Sequence, residues 1–280
     1  MQKLIVLLCG WMLSFGVAGQ PYVVPFDEVQ WQYSDTPDQC RLATDNLHTG
    51  LEIAFVQVAS YPLSVEISQR GRVNMDTPII METVEPVWRG REPYSTHRNE
   101  HFTRRGNTFR TNIQADLLLS DIKAGAWVNI QAPNASINVI FPSTNLSSSV
   151  KSFDLCRETL PPISFHQASG LELHFANAKN TLTAKHKQKI EEISMLVKRD
   201  SSIVKVLIDG YTDSSGDPVS NLSISKKRGS NVAQWFMESG VERGMIEVRG
   251  HGERYPKYSN NSELGRAKNR RVEIRLVRNL

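Results

Sequence analysis

The sequence has few cysteines, little net charge and no long apolar run after its first twenty residues. Its 280 residues include 3 Cys, and 33 Lys and Arg against 29 Asp and Glu give a net charge of +4. So small an excess does not favour a nucleic-acid partner, which typically needs a strongly basic face. A transmembrane helix needs about 20 consecutive apolar residues. We therefore expect neither a nucleic-acid partner nor a membrane span.

The sequence also lacks the motifs of common hydrolases. His97 and His101 are four residues apart, but Arg98 follows His97 where the zinc motif H-E-x-x-H requires Glu. No G-x-S-x-G nucleophile elbow occurs. We therefore predict a protein that is not an enzyme, with no catalytic residues, no metal site and no cofactor.

The first 19 residues predict a secretory signal. Lys3 precedes an apolar run from Leu4 to Val17, and small residues follow that run. Cys9 invites lipidation, but it follows Leu8, where a lipid-transferring enzyme requires a small residue. We therefore expect removal of residues 1–19 and export to the periplasm.

Export leaves two cysteines, Cys40 and Cys156. An even pair in an oxidising compartment favours a disulfide. We predict the Cys40–Cys156 bond, with two separate buried thiols as the alternative. On the chain-entropy model, closing so long a loop contributes about 4 to 5 kcal/mol.

Residues 20–160 predict a small antiparallel β domain. Alternating apolar residues indicate strands at residues 51–59, 63–69, 78–84, 126–132 and 135–141, and a helix is expected over residues 112–125. Pro161 and Pro162 then interrupt the pattern. We place the domain boundary at these prolines.

From residue 161 to residue 280, strands alternate with helices. We expect strands at residues 171–175, 202–210, 245–250 and 272–277, and helices over residues 182–199 and 218–240. This order predicts a two-layer α/β domain of βαβαβ type. The whole chain is then of the α+β class.

Four blocks of the second half carry a family resemblance. They are GYTDSSG at residues 210–216, NLSISKKR at 221–228, GHGERYP at 250–256 and NRRVEI at 269–274. In this order they resemble the OmpA family of peptidoglycan-binding domains. The resemblance implies an OmpA-like fold and a ligand in the peptide stem of peptidoglycan, especially diaminopimelate.

The same resemblance names candidate site residues. It implies that Asp213 binds the ammonium group of diaminopimelate and that Arg228 binds its carboxylate, which a guanidinium holds through two parallel hydrogen bonds. Thr212, Asn221 and Arg271 are further candidates, although Arg271 could equally pair with a glutamate. The alternative is structural: Asp213 caps a turn and Arg228 is a solvated helix charge.

The first half resembles another family, MotY, through VQWQYSDTPDQCRL at residues 29–42, EPVWRG at 85–90 and SFDLC at 152–156. In that family of sodium-driven polar flagella, the β domain associates with the basal body and with a companion protein, MotX. Together they form the T ring beneath the outer membrane, which recruits stators. The resemblance implies a periplasmic anchor that fastens this ring to the cell wall.

Two other functions remain open at this point. One is a cell-wall-binding envelope protein of the OmpA family that is unrelated to the flagellum, and the other, less favoured, is a hydrolase of the wall. We also expect Trp31 and Trp88 to lie in the core, because large aromatic side chains are mostly buried; the alternative is that they face a partner protein.

Overall fold

The computed structural model describes residues 20–46, 48–70, 78–89, 95–133 and 137–279. The proposed signal, residues 1–19, lies outside the described residues. Two apolar cores are present, one built from residues between Val24 and Cys156 and the other from residues between Ile163 and Leu276. We describe them as the N-terminal and C-terminal domains.

The N-terminal domain is a pair of β-sheets with a common core. Its strands are β1 (Tyr22–Val23), β2 (Gln32–Thr36), β3 (Gln39–Asn46), β4 (Leu51–Val58), β5 (Ser64–Gln69), β6 (Ile80–Val84), β7 (Ser95–Asn99), β8 (Thr103–Arg105), β9 (Thr108–Thr111), β10 (Trp127–Ala132) and β11 (Ile137–Phe141). One sheet has the order β1-β11-β10-β6-β7, and the other has the order β2-β3-β4-β5-β9-β8. All pairs except the parallel β1–β11 are antiparallel. The predicted antiparallel β domain is confirmed.

Two helices complete this domain, α1 (Ala115–Lys123) and α2 (Ser147–Thr159). Helix α1 lies inside the predicted range, whereas α2 was not predicted because it buries little apolar surface, chiefly Val150, Phe153 and Cys156. The predicted Cys40–Cys156 disulfide is present, with the two Cα atoms 6.0 Å apart. It fastens α2 to β3.

Several strands escaped prediction because their inward positions are polar. In β3 the buried side of the strand carries Cys40, Leu42, Thr44 and Asn46, so half of the buried residues are not apolar. An alternation of this kind is invisible to a search for alternating hydrophobic residues. The fold therefore contains more strands than the sequence indicated.

Trp31 and Trp88 differ in burial. Trp31 is 3% exposed, and its indole Nε1 donates to the carbonyl oxygen of Pro142 at 3.2 Å, as expected of a core residue. The same expectation was wrong for Trp88, which is 63% exposed. The centre of a Trp88 ring lies 6.0 Å from that of Phe26, which is also exposed, and 4.9 Å from that of the buried Trp127.

The C-terminal domain is a two-layer α/β domain. Its elements are α3 (Phe165–Ala168), β12 (Leu171–His174), α4 (Ala184–Arg199), β13 (Ile203–Gly210), α5 (Pro218–Glu238), β14 (Ile246–Gly250), α6 (Glu263–Asn269) and β15 (Arg271–Arg278). The strand order is β12-β15-β13-β14, and β13 is parallel to β14. The predicted βαβαβ order is confirmed, and α6 and β15 follow it.

The strand β15 has two distinct sides. Val272, Ile274 and Leu276 are buried in the core beneath α4 and α5. Because successive side chains of a strand point to opposite faces, Arg271 and Glu273 lie on the other face of the sheet. This alternation decides which arginine reaches the site described below.

The two domains touch at the tip of the β2–β3 hairpin. A carboxylate oxygen of Asp38 accepts the Phe165 N–H at 2.9 Å, and the Arg278 guanidinium lies 3.9 Å from the same carboxylate. The Ser60 hydroxyl donates to the carbonyl oxygen of Pro162. Arg278 ends β15, so this contact lies at the opposite end of the sheet from the loop that follows Gly210.

Candidate functional site

A cavity of about 150 Å³ lies where strand β13 ends, between the loop at residues 211–217 and the first turns of α5. Helix α5 comes very close to the strand at this point. A Cβ atom on Gly210 would lie 2.2 Å from the carbonyl oxygen of Ser225, so only glycine allows this approach. The close approach brings the polar side chains of α5 to the cavity.

Arg228 is placed in this cavity by helix periodicity. Asn221, Ser225, Arg228 and Val232 are spaced by four, three and four residues, and all four lie on the buried face of α5. Arg228 is 1% exposed. An arginine buried to this extent requires partners.

The partners of Arg228 are backbone carbonyl groups. Its Nε, Nη1 and Nη2 atoms donate to the carbonyl oxygens of Lys179 at 2.9 Å, Tyr211 at 3.1 Å and Ala176 at 3.3 Å. Guanidinium has five N–H donors, so two remain. Arg228 thus also holds two loops together, a structural role that our sequence interpretation had not given it.

The charge of Arg228 is not balanced by an ion pair with any described residue. Burial, and then the positive charge of Arg270, lower the pKa of Arg228 to about 10, while Asp213 acts in the opposite direction. The guanidinium therefore stays charged at neutral pH. A buried cation with unused donors is suited to a carboxylate ligand.

Asp213 provides the opposite charge. It is 4% exposed; one carboxylate oxygen accepts Arg270 Nη1 at 2.7 Å and the other accepts the Ser215 N–H at 2.9 Å. Burial raises the pKa of Asp213, but the hydrogen bonds from Arg270 and Ser215 outweigh it, and the net pKa is lowered. The ionised carboxylate keeps lone pairs for a further donor.

Two further predicted residues line the same cavity. The Thr212 hydroxyl is buried and has no hydrogen-bond partner among the described residues. Buried hydroxyl groups are nearly always partnered, so an unpartnered hydroxyl in a cavity points to a ligand. Asn221 is held in place, since its amide donates to Glu253 at 2.8 Å and to the Ser215 carbonyl at 3.2 Å.

The structure does not bring Arg271 to this cavity. Its Nε atom donates to Glu273 at 2.7 Å, and its guanidinium lies 4.0 Å from the centre of the Tyr211 ring, on the face of the sheet opposite the core residues of β15. Arg270 lines the cavity instead. The apolar alternation of Val272, Ile274 and Leu276 was the signal that could have found it, because Arg270 is on their side of the chain.

The cavity is suited to a small zwitterion. The guanidinium groups of Arg228 and Arg270 and the carboxylates of Asp213 and Asp217 line it, so its positive and negative charges balance. Pockets for drug-sized ligands have volumes of about 300 Å³ or more. The size and charge of the cavity therefore fit an end group that carries an ammonium and a carboxylate.

The described part of the chain contains neither a membrane-spanning helix nor a metal-binding cluster. None of its helices has the length and apolarity to cross a membrane. No group of three or more His, Cys, Asp or Glu side chains there is placed to bind a metal ion.

Two family models match the chain. The model of the MotY N-terminal domain matches residues 22–162, and the model of the OmpA family matches residues 174–270. The first match covers half of the chain. It coincides with the β domain and its disulfide, and the second includes the cavity.

Known proteins resemble the chain over its whole length or over the C-terminal domain. The sodium-type flagellar protein MotY of Vibrio parahaemolyticus is 26% identical over 95% of this chain and 93% of its own length. The outer-membrane lipoprotein YfiB of Pseudomonas aeruginosa is 39% identical over 35% of this chain, which spans 53% of YfiB. A solved structure, the C-terminal domain of Helicobacter pylori MotB, is 24% identical over 39% of this chain and 85% of that chain, with a TM-score of 0.37.

Proposed function

The chain belongs to the MotY N-terminal domain family and carries an OmpA-family domain after it, and on this premise we propose that it is a non-enzymatic periplasmic anchor of a sodium-driven flagellar motor. Residues 161–280 bind peptidoglycan. Residues 20–160 associate with the basal body and with a companion protein of the MotX type. Residues 1–19 act as the export signal.

One observation carries the wall-binding half of this proposal. Arg228 is a buried guanidinium without an ion pair among the described residues, and it lines the same cavity as the ionised Asp213. A ligand that brings one carboxylate and one ammonium satisfies both groups. The free end of diaminopimelate in the peptide stem has this chemistry.

The placement of the site supports an anchoring role. The cavity lies at one end of the C-terminal sheet, and the contact with the N-terminal domain lies at the other end, near Arg278. The central strands β13 and β15 connect these ends through an antiparallel ladder with one register shift between Ile203 and Lys205. Force between the wall and the motor then acts along hydrogen-bonded strands.

Thr212→Val tests the wall site most cleanly. The substitution removes a buried hydroxyl that has no partner in the described chain, so the free energy of unfolding should stay equal or rise slightly. Binding to purified sacculi should weaken about tenfold to a hundredfold, because a hydrogen bond to a charged ligand group contributes about 1.5 to 3 kcal/mol. Sedimentation with sacculi and thermal melts of the same sample measure both effects.

Thr44→Val is the matched control, since the hydroxyl of Thr44 is also buried and unpartnered but lies in the N-terminal domain. It should leave sacculus binding unchanged. Arg228→Lys keeps the charge but loses the planar fork, and it should also weaken binding. If Thr212→Val and Arg228→Lys both fold and bind sacculi as well as the parent, the wall site is elsewhere.

The motor half has its own test. A fragment that ends near Ser164 retains the first apolar core and the disulfide. It should co-purify with basal bodies, and deletion of the full chain should abolish swimming. A folded fragment that never associates with basal bodies, or a deletion strain that swims normally, would favour an envelope protein unrelated to the flagellum.

A further inference from the structure

A second concave surface, which we call the junction groove, lies where the two domains meet. It has a volume of about 910 Å³ and is lined by residues 58–64, 101–113 and His166, with gaps. It is thus several times larger than the cavity at the end of β13, which we call the wall cavity, and shares no lining residue with it. Its size suits a peptide segment, not a small end group.

Two apolar side chains in the groove are exposed, Tyr61 at 45% and Ile113 at 47%. Each is next to a residue in the left-handed backbone region, Ser60 with φ 66° and Gln114 with φ 54°. A residue other than glycine adopts this conformation only where its surroundings hold it there. Backbone strain of this kind clusters at active sites, ligand clamps and switch regions.

The strained turn at Ser60 is fixed in place. The Ser60 hydroxyl donates to the carbonyl oxygen of Pro162, and the Tyr61 N–H donates to the carbonyl oxygen of Val58 at 3.0 Å. The Gln57 side chain donates to the carbonyl oxygen of Tyr61. The ring of Tyr61 is therefore held at the groove by its own backbone while it remains exposed to solvent.

The charged side chains that line the groove are basic. Arg105 and Arg110 line it together with two histidines, and none of the described lining residues is acidic. Arg110 lies 3.6 Å from Glu66, whereas Arg105 is exposed and has no ion pair or side-chain hydrogen bond with another described residue. An anionic group that enters the groove meets at least one unbalanced guanidinium.

The groove also borders an edge strand. Strand β8, which ends at Arg105, is the outermost strand of the six-stranded sheet among the described residues. Extended peptides can add to the edge strand of a sheet.

We propose that the junction groove binds an extended acidic segment of a partner protein. Carboxylates of the segment pair with Arg105 and Arg110, and an apolar side chain of the segment packs against Tyr61 and Ile113. This site goes beyond the proposed wall binding and does not depend on it. Because His166 belongs to the C-terminal domain, a bound segment contacts both domains at once.

The test is selection of peptides from a random 12-residue phage library on the full mature chain. The selected peptides should be enriched in Asp and Glu and contain an aromatic or aliphatic residue. Fluorescence anisotropy with a selected synthetic peptide then compares variants. Arg105→Glu should weaken binding about tenfold or more, because it places a like charge against the peptide, and Tyr61→Ala should weaken it about fivefold.

Arg243→Glu is the control, since it reverses an exposed arginine outside the groove. It should change the affinity less than about twofold. All three variants should keep sacculus binding, which reports an intact C-terminal domain. The proposal is overturned if the library yields no acidic enrichment, or if the selected peptides bind the parent, Arg105→Glu and Tyr61→Ala equally well. Vesicles with anionic lipids that bind in place of the peptides would assign the groove to a membrane surface and overturn it too.

Discussion

The two domains differ in how many charged side chains they bury. Among the described residues of the N-terminal domain, Glu82 is the one buried charged side chain. The described C-terminal domain buries six: Asp200, Asp209, Asp213, Arg228, Arg270 and Arg271. The interior of the first domain is stabilised by apolar contacts and a disulfide, whereas the interior of the second contains several buried carboxylate and guanidinium groups.

The difference shows how to recognise a binding site among buried charges. Most of the buried charges are paired within the domain, as Asp213 is with Arg270 and Asp209 is with Arg275. A pair of this kind adds little net stability, because desolvation of the two ions offsets their attraction. Arg228 lacks an ion pair with any described residue, so it is the charge that points to a ligand.

The largest effect should come from removing the disulfide. Replacing Cys40 and Cys156 by Ser should lower the free energy of unfolding of the N-terminal domain by about 4 to 5 kcal/mol, since the bond closes a long loop. The C-terminal domain should keep its own transition. Urea unfolding followed by tryptophan fluorescence reports mainly the N-terminal domain, and sacculus binding reports the other. An equal loss in both transitions would mean that the two cores unfold as one.

The next effect distinguishes the neighbouring arginines. Arg270→Gln leaves Asp213 buried without its ion-pair partner, and removing one member of a buried pair typically costs about 3 kcal/mol or more. Arg271→Gln should cost less, because the side chain of its partner Glu273 remains 23% exposed. Urea unfolding of the C-terminal domain measures both losses.

Sacculus binding adds a second readout to this pair of variants. Arg271→Gln should retain binding, since Arg271 lies outside the cavity, whereas Arg270→Gln should lose it because the position of Asp213 is no longer fixed. If binding is lost in Arg271→Gln and kept in Arg270→Gln, Arg271 belongs to the binding site, and our assignment of Arg270 to the cavity is wrong.

The smallest effect is the acid dependence of the C-terminal domain. The pKa of Asp213 is lowered in the folded domain from its ordinary value of 3.8, since its hydrogen bonds from Arg270 and Ser215 outweigh burial. A lowered pKa contributes stability that is fully present above 3.8 and is lost as the pH falls through the folded value. Stability should therefore decline below this pH. Urea midpoints measured between about pH 2 and pH 6 should decline less steeply for Asp213→Asn than for the parent protein. Equal slopes for the two proteins would exclude a contribution of Asp213 to the acid dependence.

The sequence predicted the C-terminal domain better than the N-terminal domain. The helix expected over residues 182–199 is Ala184–Arg199, and the strand expected over residues 202–210 is Ile203–Gly210. These elements have regular apolar periods because each packs one face on a single core. In the N-terminal domain, strands with polar inward residues, such as β3, gave no such period.

The sequence by itself determined the two-domain order, the disulfide partners and four of the residues that line the wall cavity, because each depends on local pattern or on residue type. The tertiary structure alone decided that Arg270 and not Arg271 meets Asp213, that Trp88 is exposed, and that Arg228 holds three backbone carbonyls. The physical reason is distance along the chain. Arg270 and Asp213 are 57 residues apart, and contacts of that kind are set by how strands and helices pack, which no local pattern specifies.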